Sequence, residues 1–189
     1  MRKSPCENIK MKKKETIEIL MTGGTIDSAW NGIKDTAVVN RHSIIPQYFK
    51  KLIIYPALKF SEICMKDSRE ITTKDLEKIL KIISKSKNKR FIITHGTYTM
   101  PDTAKFLEAN LKRKNLTIVF TGSMVPLEGV YPTDAGFNLG FAISKVQELK
   151  PGFYICMNGD TFTPQEVVKN LSEGKFYSIF RAVRDLSAQ

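Results

Sequence analysis

The stretch Phe91-Ile92-Ile93-Thr94-His95-Gly96-Thr97-Tyr98-Thr99 begins as a strand and ends as a turn rich in polar groups. A short apolar run bounded by turn residues reads as a buried strand. Hydroxyls, an imidazole and a glycine after it are turn chemistry. The same pattern recurs along the chain. Thr16 to Met21 leads into Thr22-Gly23-Gly24-Thr25, and Phe60 to Met65 into Lys66-Asp67-Ser68-Arg69-Glu70. Thr117 to Phe120 leads into Thr121-Gly122-Ser123, and Gly152 to Met157 into Asn158-Gly159-Asp160.

Helical patterns separate these strands. Ser43 to Lys51 carries Pro46 near its first turn, where proline is tolerated. Thr72-Thr73-Lys74-Asp75 resembles a capping box ahead of Leu76, Ile79, Leu80 and Ile83 at helical spacing. Pro101 to Lys112 places Ala104, Leu107 and Leu111 on one face, and Thr133 or Asp134 caps a helix that runs through Leu149. Strands alternating with helices predict an α/β fold, a doubly wound, mostly parallel sheet in a three-layer α/β/α sandwich. In such sheets ligands bind outside the carboxyl ends of the strands, so the five turns are expected to form one pocket rim. Any one of them alone is explained equally well as a tight turn. Ala29 to Asn40 reads as a variable loop with Asn31-Gly32 as a turn signal, and residues after Gly174 carry no clear pattern.

With 189 residues, 42% hydrophobic and 26% charged, the chain can bury a real core. We expect one domain over residues 15–189, preceded by a basic, mobile extension over 1–14 in which Met11 is an alternative start. No apolar run reaches the roughly 18–20 residues of a membrane span, and the basic N-terminus lacks the apolar segment of a secretory signal. Cys6, Cys64 and Cys156 have no metal spacing; the latter two read as buried thiols in a reducing cytoplasm. The formal charge of +11 fits an anionic partner or a lysine-rich surface. No nucleic-acid motif accompanies it, so nucleic acid is not expected as the partner.

The motifs exclude several chemistries. GxxxxGKS/T and a post-strand GxGxxG are absent, as is the GxSxG elbow of serine hydrolases. His42 and His95 lack ligand spacing, so neither a metal nor a cofactor is expected, and His95 reads as a locally bonded turn residue. A threonine-rich rim remains, with Lys169 downstream. A threonine hydroxyl needs a base to become a nucleophile, and a lysine serves only if its pKa is depressed. By composition alone Lys169 reads equally well as a solvated surface residue.

ILMTGGTIDS, ITHGTYTMPDTAKFL and IVFTGSMVP resemble, in order and spacing, the TGGTI, THGTDTMEETA and TGAMRP blocks of the bacterial-type L-asparaginase family. KDSREIT is similar to that family's DSxxMT segment, while TDAGFNLGFAISKVQ and NGDTFTPQEVVKN resemble its later helix and lysine segments. The likeness runs from about Glu18 to Lys175 and corresponds to the N-terminal domain alone, as in short single-domain members. It implies a flavodoxin-like fold and threonine-dependent hydrolysis of a small carboxamide, an amide or amino-acid derivative, with release of ammonia. It further implies Thr25 as nucleophile, Thr97 as second threonine, and Lys169 as the lysine that polarises it. Gly24, Ser68, Arg69, Gly96, Tyr98 and Ser123 would contact substrate: Ser68 through its carboxylate, backbone groups near Gly96 and Ser123 as oxyanion donors, and the Ser123 hydroxyl as a further donor. Sites shared between subunits imply a homo-oligomer.

Three departures bear on activity. Tyr98 stands where the family places an aspartate that pairs with the substrate's ammonium, and a phenol is neutral at pH 7. Between Thr25 and Gln47 there is no tyrosine to match the family's lid; Trp30 is the only aromatic there. The family's C-terminal domain has no counterpart in this chain. Arg69 adds a fourth difference, readable as a bidentate anion clamp or as a solvent-facing arginine. Two readings stay open: an amidohydrolase of altered specificity, or a small-molecule-binding homologue that has lost catalysis.

Overall fold

The computed structural model describes residues 15–180. The basic segment 1–14, with its candidate start Met11 and Cys6, lies outside the described residues, as do residues 181–189. In chain order the elements are β1 (Ile17–Gly23), β2 (Ser28–Asn31), β3 (Thr36–Val39), α1 (Ile45–Lys50), β4 (Leu58–Lys66), α2 (Thr73–Lys85), β5 (Arg90–Thr94) and α3 (Met100–Asn110). They continue with β6 (Thr117–Thr121), α4 (Ala135–Glu148), β7 (Gly152–Met157), β8 (Asp160–Phe162), β9 (Val167–Asn170) and β10 (Lys175–Ser178). Single 3-10 turns cover Thr25–Asp27 and Ser68–Glu70.

The main sheet has the order β4-β1-β5-β6-β7-β8. Its first five strands are parallel and β8 runs antiparallel to β7. Counting only the parallel strands, the order is 2-1-3-4-5, the flavodoxin-like doubly wound arrangement. Strand side chains alternate between two cores. Leu20, Phe91, Ile93, Ile118, Phe120, Ile155 and Met157 pack with Ile79 and Ile83 of α2 and Met100, Ala104 and Leu107 of α3. Ile17, Ile19, Met21, Ile92, Val119 and Cys156 pack with Ile45 and Phe49 of α1 and Ala135, Leu139, Ala142 and Val146 of α4. Both faces are dry, which explains why these strands read as unbroken apolar runs. Each fully buried large side chain contributes about 1.5–3 kcal/mol.

The predicted caps form with one change. Asp75 accepts from the backbone N–H of Thr72 at 2.8 Å and from its hydroxyl at 2.7 Å. At α4 it is the Thr133 hydroxyl that accepts from Ala135 N–H, at 3.1 Å. The Asp134 carboxylate instead turns back to accept from the N–H groups of Met124 and Val125. Two expectations are corrected. Residues 29–40, read as a loop, form the antiparallel hairpin β2–β3, with Trp30 opposite Ala37. The segment beyond Gly174 pairs as β10 with β9, placing Phe176 opposite Lys169; Val167 and Phe176 seal the α2–α3 core. Among the described residues no helix is long and apolar enough to cross a membrane.

Two fully buried carboxylates brace the ends of β1. Glu18, at the N-terminal end, accepts from Lys59 at 2.8 Å, Ser61 at 3.3 Å, Ser86 at 2.8 Å and Asn88 at 2.9 Å. Burial opposes its charge, but hydrogen bonds from Lys59, Ser86 and Asn88 prevail and hold its pKa below the usual value. Asp27, just past the C-terminal end, accepts from the Ser43 hydroxyl and from Ile44 N–H, each at 2.9 Å. It thereby ties the entry of the hairpin to the segment that leads into α1. Here burial prevails, and nearby Glu62 adds to it, so the Asp27 pKa rises to about 6.

The two groups make opposite contributions with pH. Glu18 stabilises the fold fully above its unfolded pKa, and that stability is lost as pH falls through its lower folded value. Asp27 holds its proton more tightly when folded, so its contribution is full below the unfolded value of 3.8 and disappears as pH rises to about 6. In urea unfolding between pH 4 and 7, Asp27→Asn should gain on the wild type by on the order of 3 kcal/mol as pH rises. Glu18→Gln should lose its disadvantage as pH is lowered below the carboxylate range. Parallel stability-versus-pH curves for variant and wild type would contradict both assignments.

Candidate active site

Four of the five strand-end turns meet at the carboxyl edge of the sheet. Gly24 N–H donates to the Lys66 carbonyl at 2.9 Å, the Thr22 hydroxyl to the Thr94 carbonyl at 2.8 Å, and His95 N–H to the Thr121 carbonyl at 2.9 Å. The approach is closest at two glycines. Gly24 has φ 76°, and a Cβ there would lie 2.5 Å from both Cα and N of Gly96. A Cβ on Gly96 would in turn lie 2.8 Å from Cβ and Oγ of Ser68. Any side chain at either position would push the turns apart. The TGGT, DSRE and THGT turns therefore form one packed unit, and Thr25 and Thr97 each follow one of the two touching glycines.

The fifth turn is a hairpin at the same edge. Asn158 and Gly159, with φ 55° and 83°, turn β7 into the antiparallel β8, the two-residue hairpin chemistry of an Asn-Gly pair. Asn138 ties it to TGSM, donating to the Gly122 carbonyl and accepting from Asn158 N–H, each at 3.0 Å. TGSM reaches the rim, but the Ser123 hydroxyl donates to the Val125 carbonyl at 2.6 Å. That hydroxyl is committed locally, against the expectation of an extra donor to substrate.

The ribbon β9–β10 brings Lys169 back over the rim. Its Nζ lies 2.6 Å from Oγ1 of Thr97, which is almost fully buried. Burial lowers the pKa of Lys169 and the positive charge of Arg69 lowers it further, with Asp67 opposing. The lysine that composition left indistinct is thus in contact with a threonine hydroxyl, in surroundings that lower its hold on a proton. Tyr98 is half exposed beside it, with Lys169 Nζ 4.3 Å and Arg69 Cζ 4.7 Å from its ring centre. Arg69 faces solvent, as one of its two readings had it, but it is not a free clamp. Its Nε and Nη2 donate to the two carboxylate oxygens of Asp67 at 2.8 and 3.0 Å, and this pairing holds Asp67 below the usual carboxylate range.

Three buried polar atoms have no hydrogen-bond partner among the described residues: Ser68 Oγ, Thr94 Oγ1 and His95 Nε2. Ser68 Oγ lies against Gly96, and the Ser68 carbonyl accepts from the Thr99 hydroxyl at 2.8 Å. His95 Nδ1 lies 2.8 Å from the Gly96 carbonyl; a carbonyl only accepts, which places the proton on Nδ1. Burial pushes its pKa down to about 4, so the imidazole is neutral and braces the turn, as a locally bonded residue should. A cleft of about 440 Å³ opens between the β2–β3 hairpin and the end of β4, bordered by Gly24, Thr25, Val38, Lys66, Asp67 and Glu70. The hairpin brings no tyrosine hydroxyl to it. Among the described residues, no three His, Cys, Asp or Glu side chains are grouped to hold a metal ion.

Sequence reasoning missed Asp27 and the pairing of Asp67 with Arg69. Asp27 lies two residues beyond Thr25 in the same quoted block, but its partners Ser43 and Ile44 come from a separate segment. The i, i+2 spacing of Asp67 and Arg69 was a visible signal for a local ion pair.

The comparisons with known proteins agree with this geometry. Residues 16–183 match the family model described as asparaginase, N-terminal. A glutaminase-asparaginase from Acinetobacter glutaminasificans is 27% identical over 174 residues, covering 84% of this chain and 51% of the relative. Among solved structures, the thermostable L-asparaginase from Thermococcus kodakarensis superposes with a TM-score of 0.72 at 26% identity, covering 86% of this chain and 51% of that one. L-asparaginase I from Vibrio cholerae O1 biovar eltor gives a TM-score of 0.72 at 22% identity, with coverages of 87% and 51%, a likeness of fold. A probable cytoplasmic L-asparaginase from Campylobacter jejuni gives 0.68 at 28% identity, with coverages of 87% and 53%. The chain spans about half the length of these relatives. With the family model matching most of the chain and the strand-end turns assembled as described, the protein belongs to the asparaginase family through its N-terminal domain.

Proposed function

We propose that this chain hydrolyses a small carboxamide to the carboxylic acid and ammonia. The observation that carries the reading is the 2.6 Å contact between Lys169 Nζ and Thr97 Oγ1, beside the Gly24–Gly96 junction that positions Thr25. The Thr25 hydroxyl attacks the amide carbon and forms an acyl ester, and the amide nitrogen leaves as ammonia. Water then attacks the ester, returning the Thr25 hydroxyl and releasing the acid. Thr97 and Lys169 move the protons of these steps, a role suited to a lysine whose pKa is lowered. Backbone N–H groups near Gly96 and Ser123 face the developing oxyanion; one such donor is worth roughly 3–4 kcal/mol in related chemistry. Ser68 binds the substrate's non-reacting end, and Tyr98 changes which substrate is accepted.

A second reading has its own support. Asp67 is tied to Arg69 and position 98 carries no charge, so an amino-acid ammonium has no carboxylate partner beside Thr97. A protein that binds a small molecule without turning it over would present the same turns. We further propose a cytoplasmic homo-oligomer. Phe137 and Tyr131 are exposed, and Phe137 stacks on Phe141 at 6.4 Å, an apolar patch of the kind that marks association surfaces.

Ammonia release should be measured over a panel of asparagine, glutamine, N-blocked and simple amides. Thr25→Ala, Thr97→Ala and Lys169→Ala should each lower kcat by about 10²–10⁴ on any amide that is turned over. The rate should rise with pH along a limb with its midpoint below 10.5, the ordinary lysine value, and Lys169→Ala should remove that limb. Folded protein that is stabilised by amides but releases no ammonia would establish the binding reading instead. Light scattering should show a multimer that Phe137→Glu shifts towards monomer; a monomeric wild type would exclude the assembly.

A further inference from the structure

The surroundings of Tyr98 are cationic on the side where a substrate would lie. Lys169 and Arg69 both rest within 5 Å of the ring centre, at 4.3 and 4.7 Å. The guanidinium is fixed by its bidentate pair with Asp67, and the described hydrogen bonds engage Nε and Nη2 without involving Nη1. Arg69 is therefore a held cation with donor capacity to spare. Asp67 has its charge compensated by that pair, so it offers a substrate ammonium no uncompensated negative charge. Glu70, the other nearby carboxylate, borders the cleft beneath the hairpin and acts on Arg69. A second, independent feature also calls for an anion. Ser68 is 3% exposed, its Oγ is buried without a partner, and the residue sits between Asp67 and Arg69 in the chain and against Gly96 in space. A buried hydroxyl with a donor to spare, next in the chain to a held guanidinium, suits a carboxylate. The half-exposed ring of Tyr98 offers hydrocarbon contact but no charge.

We infer that the substrate's non-reacting end is a carboxylate with no ammonium beside it. Arg69 and Lys169 over the ring of Tyr98, with the unpartnered hydroxyl of Ser68 next to Arg69 in the chain, select a monoamide of a short dicarboxylic acid over the corresponding amino-acid amide. An α-ammonium brought to this place would face Arg69 and Lys169 with the nearest carboxylate already engaged, and like charges forced together reject a ligand. For the amide half this inference rests on the hydrolytic reading above. For the carboxylate half it concerns binding alone. Arg69 is thus the specificity-determining residue: it supplies a cation and also removes Asp67 from use.

Binding and turnover separate the two claims. Calorimetry on the wild type should show succinate binding at least about tenfold more tightly than L-aspartate, the scale of one unpaired charge. Ammonia release should favour succinamate over L-asparagine in kcat/KM by a similar ratio. Arg69→Gln deletes the cation and frees the Asp67 carboxylate, so the preference should fall away and move towards aspartate. The Arg69 side chain is 63% exposed, which makes folding of this variant a safe premise to verify by circular dichroism. Ser68→Ala should weaken succinate binding without altering its ratio to aspartate. Aspartate binding as tightly as succinate, neither ligand binding, or a preference unchanged in Arg69→Gln would each overturn the inference. Succinate preference without ammonia from either amide would leave the inference standing and sink the hydrolase. Ammonia from asparagine at equal or better kcat/KM would do the reverse.

Discussion

The contact between Gly24 and Gly96 is the constraint on which the site depends. Two turns from neighbouring parallel strands are pressed together so closely that one methyl group on Gly24 would separate them, while one on Gly96 would push away Ser68. The sheet makes this approach unavoidable. Met21 is registered with Thr94 across β1 and β5, so the two chains leave the sheet at the same level and must turn side by side. Without side chains at the contact, the backbone segments that carry Thr25 and Thr97 run side by side, and Ser68 packs against Gly96. The rigidity comes from the two dry cores below, which leave the strand ends no freedom to shift.

Onto this fixed platform the ribbon β9–β10 lays a lysine. Phe176 and Val167 seat the ribbon in the α2–α3 core, and that packing holds Lys169 at hydrogen-bond distance from Thr97. Electrostatics then decides what the lysine can do. Burial and Arg69 both disfavour its charged form, whereas the face of Tyr98 is the kind of surface that attracts a cation. The residue at position 98 therefore acts on the base and on the substrate together. The same two cations that crowd the tyrosine make the rim receptive to a negative group.

The strand-end turns show how far local pattern carries. Short apolar runs, their Gly- and hydroxyl-rich ends and the helical patterns between them were enough to locate the five parallel strands and the four helices that connect them, because a parallel sheet covered on both faces imposes an unbroken apolar signature. The β2–β3 hairpin was not legible. Its strands are four residues each, largely exposed, and lack the alternation that a buried face imposes. NGDT was legible as a turn but not as a hairpin, since an Asn-Gly pair serves both. Asp27 and Glu18 drew no assignment from the sequence, and only their burial and partners show that they brace the two ends of β1.

The sequence by itself determined the doubly wound sheet, the edge on which a site would lie, the family, and the threonines and lysine worth watching. Those properties rest on periodicity and on residue types in order along the chain. Tertiary structure alone decided the partners: Lys169 with Thr97 across 72 positions, two cations on Tyr98, Asp67 withdrawn by Arg69, and the Ser123 hydroxyl turned inward to Val125. The reason is physical. Hydrogen bonds and charge pairs act over a few ångströms, and which groups come within that distance is set by how the layers pack.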